Sequence, residues 1–138
     1  MAGQFTDTQK TYKIKDASGV AMYHGVSRSA ENEVRVPTDV NEIPVGIVSN
    51  DERLNLPFHA DGSQAGRNIA VQLDGIANVI LGEPIAVNER VVLGVGGVLM
   101  KATGLPKGTQ ANVLGFTEKG GVIGDVVPVM IAYHVYTI

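Results

Sequence analysis

A chain of 138 residues has the size of one ordinary domain, and with 44% hydrophobic and 18% charged residues it carries enough apolar side chain to build a core. A wholly disordered chain is excluded. The net charge of −3 is evenly spread, with six Lys/Arg against eight Asp/Glu in residues 1–60 and five against six in residues 61–138. No basic cluster stands ready to displace phosphate counterions, so nucleic acid is not an expected partner.

Without cysteine the chain has no disulfide, no thiolate zinc site and no thiol nucleophile. Near-continuous apolar stretches such as residues 91–100 reach about half of the roughly 20 residues a membrane-spanning helix needs, and no membrane partner is expected. The N-terminal residues lack the basic and apolar regions of a secretory signal, which predicts synthesis and retention in the cytoplasm. Twenty Val and ten Ile stand against eight Leu. Side chains branched at Cβ lose rotamer freedom on a helix and fit a pleated surface, so the balance favours sheet.

In chain order, residues 1–19 are polar, with one alternating stretch, Thr11, Tyr12, Lys13, Ile14 and Lys15, that places Tyr12 and Ile14 on one face and two lysines on the other. The reading is a mobile N-terminal arm containing a strand, followed by a single β-rich domain over residues 20–138. Residues 20–36 carry only weak patterning. From residue 43 onward, apolar runs at 43–48, 69–73, 76–81, 91–95, 98–100, 113–116 and 126–136 are separated by turn chemistry, the spacing of a sandwich or barrel. Asp74-Gly75 and Gly96-Gly97 each predict a hairpin, because both dipeptides accept the positive φ angles of tight turns. Pro44 and Pro128 interrupt apolar runs and predict edge strands or bulges there. No window of ten residues has helical spacing, and at most short turns are expected near 38–42 and 51–54.

Few residues suggest chemistry. His24, His59 and His134 lie in unrelated segments without the spacing of a metal site, and His134, in the strand beside Tyr133, reads as an exposed side chain. No serine sits in a GxSxG elbow, and the neighbouring carboxylates Glu31/Glu33 and Asp51/Glu52 lie in polar surroundings that give no reason for their pKa values to separate. Around Gly94-Val95-Gly96-Gly97 the third glycine of a dinucleotide-binding loop is replaced by Leu99, and Lys101 lies too far from the turn for a swinging-arm lysine. The expectation is a protein without enzymatic activity, cofactor or metal. With no Trp, four Tyr and three Phe, a sugar-stacking site is also disfavoured.

From Asp74 to Ile131 the order of elements is distinctive. Asp-Gly-Ile-Ala-Asn-Val-Ile-Leu-Gly-Glu-Pro-Ile-Ala-Val leads to Glu-Arg-Val-Val-Leu-Gly-Val-Gly-Gly-Val-Leu-Met-Lys-Ala, and Asn-Val-Leu-Gly-Phe-Thr-Glu-Lys-Gly-Gly-Val-Ile-Gly-Asp-Val-Val-Pro-Val-Met-Ile follows. The stretch resembles the capsid decoration, or cement, proteins of tailed bacteriophages at Gly75, Gly82, Gly96, Gly97, Gly115, Gly124, Asp125, Val127 and Val129. Pro84 and the long polar N-terminal segment depart from the family pattern.

The resemblance implies a small all-β protein, a β-barrel or β-tulip, that is commonly trimeric and clamps major capsid proteins on the outside of the phage head. On this reading residues Thr11, Tyr12, Lys13, Ile14 and Lys15 form the capsid-binding arm, ordering by strand addition, with a strand already paired in its own barrel as the alternative. The apolar C-terminal strand supplies a homotrimer interface through Val127, Val129, Ile131 and Tyr133, with a strand that is simply central core as the alternative. Two other readings remain open at this point: another β-rich virion module of a tail or spike, and a carbohydrate- or ligand-binding barrel.

Overall fold

The computed structural model describes residues 8–49 and 59–138. It is all-β, as the Val/Ile excess predicts, with ten strands among the described residues arranged in two layers. A closed barrel has the order β1-β3-β2-β4-β5, built from Gln9–Ile14 (β1), Gly25–Ala30 (β2), Glu33–Arg35 (β3), Pro44–Val48 (β4) and Asn68–Gln72 (β5). A five-stranded sheet has the order β6-β10-β9-β7-β8, from Ile76–Ile80 (β6), Arg90–Leu93 (β7), Leu99–Lys101 (β8), Gln110–Thr117 (β9) and Val126–Thr137 (β10).

Strand β1 closes the barrel. It runs antiparallel to β5, with Tyr12 opposite Ile69, and parallel to β3, with Ile14 opposite Val34. The alternation read from the sequence is correct, since Tyr12 and Ile14 are buried while Lys13 and Lys15 are exposed. The conclusion drawn from it is corrected: residues 9–14 are not an unattached arm. Tyr12 and Ile14 pack with Val20, Val26, Val34, Val48, Ile69 and Val71 in the barrel core, and removing them from water favours the paired strand over a mobile one. Residues 1–7 of the expected arm, and the expected turn at 51–54, lie outside the described residues.

The two layers meet where glycine lets backbones touch. The Gly96-Gly97 turn joins β7 to β8, as expected, and both residues have positive φ. A Cβ on Gly97 would overlap the Gly25 carbonyl in β2, and the Gly96 N–H donates to Pro37 O at 2.9 Å. Barrel residue Ile47 belongs to the main core of the second sheet, with Val79, Leu81, Val91, Leu93, Leu99, Leu114, Val127 and Val129.

Asp74-Gly75 turns as expected, with Gly75 at φ 79°, but makes no hairpin. Its flanking strands belong to different layers, and buried Gln72 holds the crossover by donating through Nε2 to Asp74 O and Ile76 O at 2.9 and 3.1 Å. Pro44 opens β4 opposite Ser27, beside a register shift, as expected for a bulge. Pro128 lies in β10, which is interior and not an edge, but that strand carries a register shift between Ile131 and His134, the other form the expectation allowed. The position tolerates proline because its carbonyl faces Glu118, just beyond the end of β9, where no ladder N–H is required.

Candidate interaction surface

The sequence singled out β10, and the structure divides it. Val127 and Val129 are almost fully buried in the main core, so neither can face a partner subunit; their alternation with Val126 and Pro128 points them inward. Ile131 is half-buried against the same core, and Tyr133 is 48% exposed. The outward apolar side chains are instead Val126, Met130, Tyr133, Val135 and Tyr136.

A register shift between Ile131 and His134 divides the strand. Before it β10 pairs with both β6 and β9, but its pairing with β6 stops at Met130. Beyond that point Ile131 N–H donates to Gly75 O, and the edge of β10 away from β9 meets no strand among the described residues. Residues 131–138 contain no Asp, Glu, Lys or Arg. Natural sheets protect such edges with charge or proline, and residues 131–138 have neither, so this edge beside exposed Tyr133 and Val135 is chemically suited to association.

Beside this edge lies a half-buried polar cluster. Arg90 on β7 spreads over the rings of Tyr136 and Phe116, at 3.9 and 5.3 Å from their centroids, and its Nε donates to His134 Nε2 at 3.2 Å. Because Arg90 can only donate, Nε2 is the acceptor and Nδ1 carries the proton that bonds Ala132 O at 2.8 Å. The His134 ring also stacks on Phe116, 5.5 Å between centroids. His134 is therefore half-buried and partnered, where the sequence predicted an exposed side chain; its partners lie on strands that only folding brings together.

At the barrel a second feature was missed by sequence reasoning. A cleft of about 590 Å³ opens between β1, β2 and the start of β4. Glu42 lies on one wall with its side chain 13% exposed, and an ion pair joins it to Arg35 at 3.1 Å. Burial pushes the Glu42 carboxyl up, but hydrogen bonds outweigh it and hold the pKa at about 2. The donors are Ser27 Oγ at 2.5 Å, the Asp39 N–H at 2.9 Å, and the Thr38 N–H and hydroxyl at 3.0 and 3.2 Å. This carboxylate organises the β3–β4 loop rather than offering itself for catalysis. The other wall carries Tyr12, with Lys10 Nζ at 5.0 Å and the Arg28 guanidinium at 5.5 Å from its ring.

Of the expected capsid-binding set, Tyr12 and Ile14 are core residues, leaving Thr11, Lys13 and Lys15 exposed on the outside of the barrel. The three histidines are not brought together, and no group of three His, Asp or Glu side chains with metal-site geometry occurs among the described residues.

No protein-family model matches the chain, and no curated protein matches it in sequence. Among solved structures, the fold is similar to the head fiber gp8.5 N base of bacteriophage phi29, with a TM-score of 0.61 and 18% identity over 92% of this chain and 95% of that one. At that identity the likeness is one of fold.

Proposed function

We propose that this chain is a structural protein of a tailed-phage virion, binding the outer surface of the head as a decoration protein and reinforcing contacts between major capsid proteins. The observation that carries the reading is the end-to-end fold likeness to the phi29 head fiber base. It agrees with the element order between Asp74 and Ile131 that resembles decoration proteins, an independent line of argument. The role is mechanical, without catalysis or cofactor.

Assembly as a homotrimer belongs to the same proposal, with the interface moved from Val127 and Val129 to the exposed part of β10 around Tyr133 and Val135. A threefold ring closes through a heterologous contact, so the β10 edge of one protomer meets a different surface of the next. Three modest contacts to a capsid then act together, and binding is firm although each is weak.

The role of the phi29 protein itself favours a second reading, the base of a head fiber. Cosedimentation of the purified chain with empty expanded heads tests head binding itself, and heating the loaded heads separates the two readings. A decoration protein raises the temperature at which the shell disrupts; a fiber base binds and leaves it unchanged. Failure to cosediment would overturn both.

A further inference from the structure

The cleft between β1, β2 and the start of β4 has a charge pattern that the internal structure leaves unused. Glu42 is consumed by Ser27, Arg35 and the Thr38–Asp39 amides. Arg28 and Lys10 meet only the π face of Tyr12 and form no ion pair with a described carboxylate. Both side chains are exposed; Arg28 lines the cleft together with an apolar wall of Ile43, Pro44, Val45 and Leu73, of which Ile43 is 62% exposed, and Lys10 stands over the ring of Tyr12, which lines the same cleft.

From this juxtaposition we infer that the cleft is a docking site for an acidic, apolar-flanked segment of another protein, its carboxylate bridging Arg28 and Lys10 and its neighbouring aliphatic side chain lying on Ile43, Val45 and Leu73. Two cations match one carboxylate. A polyphosphate chain fits less well, because the molecule as a whole carries −3 and repels a polyanion, and because much of the wall is apolar. The cleft volume accommodates a few residues and suits an anchor side chain with its neighbours. The site is separate from the β10 edge and does not depend on the head-binding reading.

The test is an NMR titration of the ¹⁵N-labelled full chain with the tripeptide acetyl-Leu-Glu-Leu-amide, alongside acetyl-Leu-Gln-Leu-amide and inorganic tripolyphosphate. The expected result is perturbation centred on Tyr12, Arg28, Val45 and Leu73 by the Glu peptide, with binding weakened about tenfold or more by the Gln replacement, as for loss of a hydrogen bond to a charged group. Lys10→Gln and Arg28→Gln should each produce a comparable loss with at most a small fall in melting temperature, since both side chains are exposed and each gives up only a cation–π contact to Tyr12. Ile43→Ser should weaken the Glu peptide while leaving its preference over the Gln peptide intact. Equal binding of the two peptides, perturbation elsewhere, tighter binding of tripolyphosphate, or no perturbation at all would overturn the inference.

Discussion

Asn41 completes the sheet beside Asn112. Its side-chain oxygen accepts the Asn112 N–H at 2.6 Å, and its carbonyl accepts Asn112 Nδ2 at 2.9 Å. Its own N–H donates to Leu93 O at 2.9 Å, so a residue of the barrel's β3–β4 loop occupies a position a strand would otherwise fill. Asn41 does this at φ 71°, in the left-handed region that asparagine tolerates better than most residues. The neighbouring Glu42 holds the same loop by its carboxylate, coupling the barrel to the second sheet.

Stability should therefore depend on acid through Glu42. Its folded pKa of about 2 lies below the ordinary 4.5, so its contribution is fully present above pH 4.5 and is lost as pH falls through 2. Glu42→Gln should cost about 1.5–3 kcal/mol at neutral pH, the range for hydrogen bonds to a charged group. It should also flatten the fall in stability between pH 4.5 and 2, measured by chemical denaturation. An unchanged pH profile would contradict the assignment.

Because β1 closes the barrel, deleting residues 1–17 should lower the melting temperature sharply. Ile14→Ala should cost about 2–5 kcal/mol, as for a buried aliphatic residue reduced to alanine. Lys13→Ala, at an exposed position, should stay within about 0.5 kcal/mol. Differential scanning calorimetry of the three proteins checks this directly.

Much of this architecture was legible in the sequence, where period and turn chemistry are local. The Tyr12/Ile14 alternation, the Gly96-Gly97 hairpin and the all-β class each follow from a few adjacent residues. What was illegible depends on distant partners. Nothing near Tyr12 and Ile14 announces that Tyr12 lies opposite Ile69 on one neighbouring strand and Ile14 opposite Val34 on the other, so a paired strand and a free arm look alike in one dimension. Val127 and Val129 read equally well as core or interface until Val79 and Leu81 are seen packing beside them. The Glu42 cluster draws Ser27 and Arg35 from two neighbouring strands and leaves no motif.

Substitution of Arg90 should expose the aromatic face it covers. Arg90→Ala removes the cation from above Tyr136 and Phe116, at a cost of about 1 kcal/mol or slightly more, and takes away the donor to His134. Binding of a hydrophobic dye should rise while the far-UV spectrum stays β-rich. A loss of all structure would mean that Arg90 acts in the core instead.

Self-association through the β10 edge predicts a mass of three chains in sedimentation equilibrium at micromolar concentration. The double substitution Tyr133→Lys and Val135→Lys, at side chains already exposed, should yield a folded monomer by placing charge on the edge. A monomeric unsubstituted chain would contradict the proposed interface.

The most direct test of the head-binding proposal is an electron cryomicroscopy reconstruction of empty expanded heads incubated with the purified chain. The account predicts ordered density of this all-β shape on the outer surface, repeated at local threefold positions of the lattice. Heads with bare outer surfaces, or density confined to the interior, would contradict it.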